Sequence, residues 1–339
     1  MEIFGKSFPM LSKHIQHLLV FLLALPISGF ALSPTLFPTF QTEALSLKVV
    51  VPVPGKPEEV QLQPLLIKPN SPAPWPTLVL PSNCSGAEDR LWHFWVPELV
   101  KNNIAVVLLD SFKPRGFDSL CPNQFRMTIG ARLQDVHQLL DFLRSDNRFR
   151  TDKIALGGHS TGAMTAFHSS FTEAQQHLDR QASAGYNAFV GAAASCEMSF
   201  KTPQLQGPLL LISGEKDDWT PAAPCEAETK RLKQAAQDAS FVSIPGAYHT
   251  FSTRGVVKSP RVMKMPADIP QMYLRKLSYE AQKSTAELAS GEELAIDQIV
   301  KKYAGFLGSK LFGAHVGGEY DKAPDVATMT VEFLKKHGW

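Results

Sequence analysis

Lys153-Ile154-Ala155-Leu156-Gly157 leads directly into Gly158-His159-Ser160-Thr161-Gly162, and a helix-compatible stretch, Ala163 to Leu178, follows. The middle five residues fit G-x-S-x-G. An apolar strand, a tight glycine-flanked turn and a helix are what a nucleophile elbow requires. The turn holds the serine in a strained conformation, and small residues two positions to either side let strand and helix approach closely. The pattern alone is common, so its flanks and partners must carry the reading.

Outward from this stretch, strands and helices alternate. Extended segments, Leu45 to Val53 and Glu59 to Ile67, come first, and Thr77 to Leu80 follows the proline-rich connection Pro69 to Pro76. Arg90 to Lys101 reads as a helix, Ile104 to Leu109 as a buried strand and Arg132 to Arg144 as a helix. In the last of these Leu133, Val136, Leu140 and Leu143 fall on one face by their three- and four-residue spacing. Beyond the elbow, Ala188 to Ala194, Pro208 to Ile212 and Phe241 to Ile244 read as strands, with Cys225 to Ala236 and Pro324 to Lys335 as helices. Continuous apolar strands separated by amphipathic helices predict a mainly parallel central sheet covered by helices on both faces.

One stretch breaks the rhythm. Ser252 to Gly318 carries no strand signal and reads as a helical insertion before the last helix. Its second expected helix presents Ile296, Ile299, Val300, Tyr303, Phe306 and Leu307 as an apolar stripe, which normally packs on its own domain. Arg254 to Lys276 holds six Lys/Arg residues against the single acid Asp268, which allows association with anionic lipid as a rival role for this segment.

Composition sets the bounds. The chain has 339 residues, 44% hydrophobic and 19% charged, with a formal net charge of +2, all ordinary for a globular domain with a large core. No basic stripe interleaved with aromatics points to nucleic acid. Lys6 and Lys13 precede the apolar segment Leu18 to Leu25, and Gly29-Phe30-Ala31 supplies small residues for a signal peptidase. Residues 1–31 are therefore expected to be a signal peptide, leaving 32–339 as one exported domain, periplasmic or secreted, without an integral membrane segment. All four cysteines lie in the exported part, which favours two disulfides. Of the three pairings, Cys84 with Cys121 and Cys196 with Cys225 are preferred, because each pair joins loops at one end of the proposed sheet. No C-x-x-C or H-x-x-x-H spacing marks a zinc site.

Ser160 needs a base, and the base needs an orienting acid. A serine hydroxyl becomes a useful nucleophile when an imidazole takes its proton, and a carboxylate then fixes the imidazole tautomer and offsets its charge. On this fold class the chain order is serine, acid, histidine. Strand Pro208 to Ile212 runs into Ser213-Gly214-Glu215-Lys216-Asp217-Asp218-Trp219-Thr220-Pro221, offering Asp217 or Asp218. Strand Phe241 to Ile244 runs into Pro245-Gly246-Ala247-Tyr248-His249-Thr250-Phe251, offering His249, whereas His315 and His337 have no predicted strand before them. The N–H of Thr161, directly after the nucleophile, is the first expected oxyanion donor.

These segments resemble the dienelactone-hydrolase-like branch of the α/β-hydrolase superfamily. The resemblance covers Pro76 to about Phe251 and resumes at Glu319 to Leu334. It rests on Asp110-Ser111-Phe112-Lys113-Pro114-Arg115-Gly116, on Gly157 to Gly162, on Gly214 to Pro221 and on Gly246 to Phe251. It implies that the acid stands four residues before a proline, which selects Asp217, and that the N–H of Cys84 is the second oxyanion donor. The chain departs from the dienelactone hydrolases proper in having serine where they use cysteine, and in the length of the segment 252–318.

The resulting expectation is an exported serine hydrolase cleaving small-molecule carboxylic esters through an acyl-enzyme, without metal or organic cofactor. A peptidase or acyltransferase on the same fold, or a non-catalytic binding protein, are the rivals. Trp92, Trp95 and Trp219 are candidate walls of the acyl pocket. Arg115 is a candidate for a substrate carboxylate, and His159 is assigned a structural part.

Overall fold

The computed structural model describes residues 32–51, 58–86, 91–178, 185–251, 255–263, 270–278, 283–307, 312–318 and 325–339. The expected signal peptide, residues 1–31, lies outside the described residues, as do parts of the basic stretch that includes Arg254 and Lys264. Chain order begins with β1 (Gln41–Ala44), β2 (Leu47–Val51), β3 (Glu58–Leu62), β4 (Leu65–Lys68) and β5 (Trp75–Pro81). It continues with α1 (Trp92–Lys101), β6 (Ala105–Leu109), α2 (Ile129–Ser145), β7 (Phe149–His159), α3 (Thr161–Ser169) and α4 (Thr172–His177). Then come β8 (Ala188–Ala192), β9 (Met198–Phe200), β10 (Leu209–Gly214), α5 (Ala222–Gln234) and β11 (Ala239–Ile244). The segment before the last helix contributes β12 (Gly255–Met263), β13 (Met272–Lys276), β14 (Thr285–Glu287), β15 (Glu293–Ala295), α6 (Ile296–Leu307) and β16 (Phe312–Gly318). The chain closes with α7 (Val326–Lys336).

Eight strands form the central sheet in the order β1-β4-β6-β5-β7-β8-β10-β11. The first two pairings are antiparallel and the rest parallel. β6, β8 and β10 are buried at every position, as parallel strands covered on both faces must be. Successive residues still part company across the sheet: Leu209 and Leu211 join the cluster with α2, α3 and α5, while Leu210 and Ile212 join the one with α1 and α7. α2 starts where Thr128 caps it, its Oγ1 accepting the Ala131 N–H at 3.1 Å.

The fold class is that of an α/β-hydrolase. Two details differ from the sequence reading. The expected single helix from Ala163 to Leu178 is broken, because Ser170 turns its hydroxyl onto the Phe167 carbonyl and Phe171 adopts extended backbone to bridge Leu205. The helical insertion is corrected more substantially. Its described residues form β12 to β16 and the single helix α6. β12 and β16 pair antiparallel, while β9, β13, β14 and β15 make a small four-stranded sheet. Three of those strands have only three residues, too few for an alternating pattern to register. In β12, Val256 and Val257 are exposed, so this apolar pair marks no core face. Ile296 and Ile299 of α6 pack into the main core, as the stripe predicts; the side chains of Tyr303, Phe306 and Leu307 lie outside the described residues.

No described helix is long and apolar enough to cross a membrane.

Candidate active site

Three loops at the carboxyl ends of β7, β10 and β11 converge on one point. The first is the elbow. Ser160 has φ 56° and ψ −117°, a conformation costly for any residue with a Cβ, and it caps the N-terminus of α3. The turn closes only because its glycines lack side chains. A Cβ on Gly158 would stand 2.6 Å from the Gly162 carbonyl carbon, and one on Gly162 would stand 2.3 Å from the Pro81 oxygen. Ser160 is anchored by its own N–H donating to Ala192 O at 2.9 Å.

The second and third loops are knitted together. Lys216 N–H donates to Ala247 O at 2.8 Å and Glu215 N–H to Ile244 O at 3.0 Å. Gly214 permits the approach, since a Cβ there would lie 2.5 Å from Ala247 O. The result is a linear chain of side chains. Ser160 Oγ is 2.9 Å from His249 Nε2, and His249 Nδ1 is 3.0 Å from Asp217 Oδ2. Facing a carboxylate, Nδ1 carries the proton, which leaves Nε2 as acceptor for the serine hydroxyl. Asp217 Oδ1 accepts the backbone N–H groups of Trp219 and Thr220, both at 2.9 Å. Thr220 Oγ1 adds contacts to Asp217 Oδ2 at 3.0 Å and His249 Nδ1 at 3.1 Å. The neighbouring carboxylate, Asp218, turns instead to His315 Nδ1 at 2.9 Å. All three residues of the chain are buried.

Trp219 lies over the His249 imidazole, ring centroids 4.3 Å apart, and shields it from water. Beneath it His159 Nε2 donates to the His249 carbonyl at 2.7 Å. Burial, reinforced by the adjacent His249 ring, pushes the His159 imidazole down to about 3, so it stays neutral at ordinary pH. Glu197 shows the converse effect. Its carboxyl is buried, accepts the Ser195 hydroxyl, and is pushed up to about 7 by desolvation, with Asp217 adding in the same direction.

The loop after β5 packs on the start of α3, with Thr161 Oγ1 donating to Ser82 O at 3.3 Å. The amide N–H groups of Thr161 and Cys84 meet no acceptor among the described residues. A disulfide joins Cys84 to Cys121, and the Cys84 carbonyl accepts Leu120 N–H at 2.8 Å and Ser119 Oγ at 3.1 Å. A second disulfide joins Cys196 to Cys225.

A mostly apolar cavity opens beside Trp219 and Thr220, bounded by Met164, Met198, Leu274, Leu277 and Ile296. Three expected substrate contacts lie elsewhere. Trp92 and Trp95 are on the apolar face of α1, in the core cluster shared with α7, and line a separate small pocket against Gly158 and His159. Arg115 is engaged bidentately by buried Asp135, with both distances 2.8 Å, and also donates to Ser111 O. It therefore holds its own loop. Met164, Ser195, Thr220 and Arg132 line the cavity but were not singled out from sequence. Arg132 had a readable signal, a charged residue on the apolar face of α2, three residues after Ile129 and four before Val136.

A family model, the Dienelactone hydrolase family, matches residues 119–289, half of the chain, and includes Ser160, Asp217 and His249. No curated protein matches the sequence. Among solved structures, a dienelactone hydrolase from Anabaena variabilis ATCC 29413 is similar at 19% identity and TM-score 0.42, over 61% of this chain and 88% of that one. A hyperthermophilic esterase from the archaeon Pyrobaculum calidifontis is similar at 15% identity and TM-score 0.46, over 62% of this chain and 78% of that one. Dipeptidyl peptidase 4 from Porphyromonas gingivalis is similar at 17% identity and TM-score 0.44, over 62% of this chain and 32% of that one.

Proposed function

The chain belongs to the dienelactone hydrolase family, and on that premise we propose that it is an exported serine hydrolase of carboxylic esters. The observation that carries the reading is the chain of contacts from Ser160 Oγ through His249 to Asp217, at 2.9 and 3.0 Å. In the proposed reaction Ser160 Oγ attacks the ester carbonyl while His249 Nε2 takes its proton. Asp217, already bound to Nδ1–H, stabilises the imidazolium that forms. The free amides of Thr161 and Cys84 receive the oxyanion at the positive end of α3. Collapse of the tetrahedral intermediate breaks the C–O bond, and His249 returns the proton to the leaving alcohol. Water then attacks the acyl-serine with His249 again as base, releasing the acid and restoring Ser160.

Trp219 over the imidazole and the adjacent apolar cavity support an acyl group of apolar character. Two disulfides support export, since such bonds persist in oxidising compartments. The test is hydrolysis of a chain-length series of p-nitrophenyl esters by residues 32–339 and by the Ser160→Ala variant. Saturable turnover by the native chain and its collapse in the variant are expected. Equal rates from both would overturn the assignment, and faster cleavage of matched amides would redirect it to a peptidase.

A further inference from the structure

β16 ties the catalytic histidine loop to the long segment before the last helix. It runs beside residues 247–250 as an added strand. Tyr248 N–H donates to Gly317 O at 2.8 Å, His249 N–H to His315 O at 3.4 Å, and Gly317 N–H to Thr250 Oγ1 at 3.0 Å. An antiparallel bridge pairs Ala247 with Gly318. The main chain of His249 is thus held on both sides, its N–H by β16 and its carbonyl by His159.

β16 is itself fixed from the loop after β10. Asp218 takes His315 with both carboxylate oxygens: Oδ1 accepts the backbone N–H at 2.8 Å and Oδ2 the ring Nδ1–H at 2.9 Å. Two adjacent acids therefore serve two histidines, Asp217 the one in contact with Ser160 and Asp218 the one on the strand that backs it. The Tyr248 ring packs on His315, centroids 5.3 Å apart, and Ala314 joins the apolar cluster of Trp219, which lies over His249. The His315 and Asp218 side chains are 35% and 33% exposed, so their pairing adds little to global stability. Its consequence is geometric. A catalytic group must be held to within about 0.5 Å of its productive position, and a displacement of about 1 Å can cost about 10²-fold in rate. Resting on the function proposed above, we propose that His315 and Asp218 are positioning residues. Their pair pins β16 to the loop that carries Asp217, and β16 sets the backbone from which His249 reaches Ser160.

The experiment compares the native chain with His315→Ala and His315→Asn on p-nitrophenyl butanoate. Alanine removes the ring donor, whereas asparagine keeps an N–H near the place of Nδ1. His315→Ala should lose about 10- to 10²-fold in kcat, with KM within about twofold of native. His315→Asn should recover most of that loss. Added to Asp218→Asn, His315→Ala should cost little more, because the pair acts as a unit. Native kcat in His315→Ala, equal losses from alanine and asparagine, or fully additive losses would each overturn the proposal. So would a rise in KM together with a marked drop in melting temperature, which is the mark of general loosening. Amide hydrogen exchange separates the proposal from the hydrolase reading. In His315→Ala the peptide spanning 245–251 should exchange at least about tenfold faster, while β8 and β10 keep their native rates. Unchanged exchange in that peptide overturns the positioning role, whatever the rates of hydrolysis. Faster exchange there, with no ester turned over even by the native chain, would sink the hydrolase reading alone.

Discussion

Asp217 holds the His249 ring with one carboxylate oxygen, Oδ2 to Nδ1 at 3.0 Å, while its other oxygen is held by two backbone N–H groups. The acid is therefore fixed before it fixes the imidazole. Asp217→Asn presents an N–H donor option to Nδ1 and favours the wrong tautomer, so kcat on a p-nitrophenyl ester should fall on the order of 10⁴-fold, with KM much less affected. Asp218→Asn is the control, because that carboxylate serves His315. A loss from Asp218→Asn as large as that from Asp217→Asn would contradict the division of labour between these neighbours.

Stability should depend on pH through Glu197. Its carboxyl is pushed from 4.5 up to about 7 by burial. Between those values the native state keeps a proton that the unfolded chain has lost, so this group's contribution falls as pH rises from about 4.5 to 7 and is flat beyond. The full swing is at most about 3 kcal/mol. His159 works the other way: held near 3 against an ordinary 6.5, it adds stability as pH rises through that lower window. Urea unfolding of Glu197→Gln and native protein at pH 4.5, 6 and 8 should show the variant gaining on the native chain as pH rises. A constant difference across the three would refute the buried, raised carboxyl.

The Cys84–Cys121 bridge should matter to rate as well as to stability. It closes a loop of sequence separation 37, and its removal should cost roughly 2–4 kcal/mol. It also fixes the segment whose amide is the second proposed oxyanion donor. Cys121→Ser should therefore lower kcat, up to about 10²-fold if that donor is displaced, with a smaller change in KM. A variant that melts earlier yet keeps its native kcat would remove Cys84 from the oxyanion site.

How much of this was readable in sequence depends on where each residue's environment is set. β6, β8 and β10 are continuous apolar runs because both faces are covered, and their burial is a local property of the strand. Strand ends and chain order point to Ser160, His249 and the pair Asp217 and Asp218, and the family resemblance selects Asp217, the one whose carboxylate meets His249 Nδ1. The small sheet of β9, β13, β14 and β15 was not legible, since three of its strands have only three residues and β9 finds its partner far along the chain, Met198 pairing with Met272. Arg115 shows a different limit. Its loop position suited a substrate carboxylate, but Asp135 arrives from α2 and occupies its donors. Trp92 reads as lying near the mouth of the site, whereas the stripe of α1 packs it in the core cluster shared with α7, against Gly158 and His159 and outside the cavity beside Trp219. Arg132 was visible as a charge on an apolar helix face, and only the fold places that face against a cavity.

The central claim is that Ser160 is a nucleophile activated by His249. Intact-protein and peptide mass spectrometry after treatment with a fluorophosphonate tests it most directly. One adduct per chain, on the peptide containing Ser160, is expected. It should be absent from Ser160→Ala, and in His249→Ala it should form at least about 10²-fold more slowly. Unmodified native protein, or an adduct on another residue that persists in Ser160→Ala, would contradict the account.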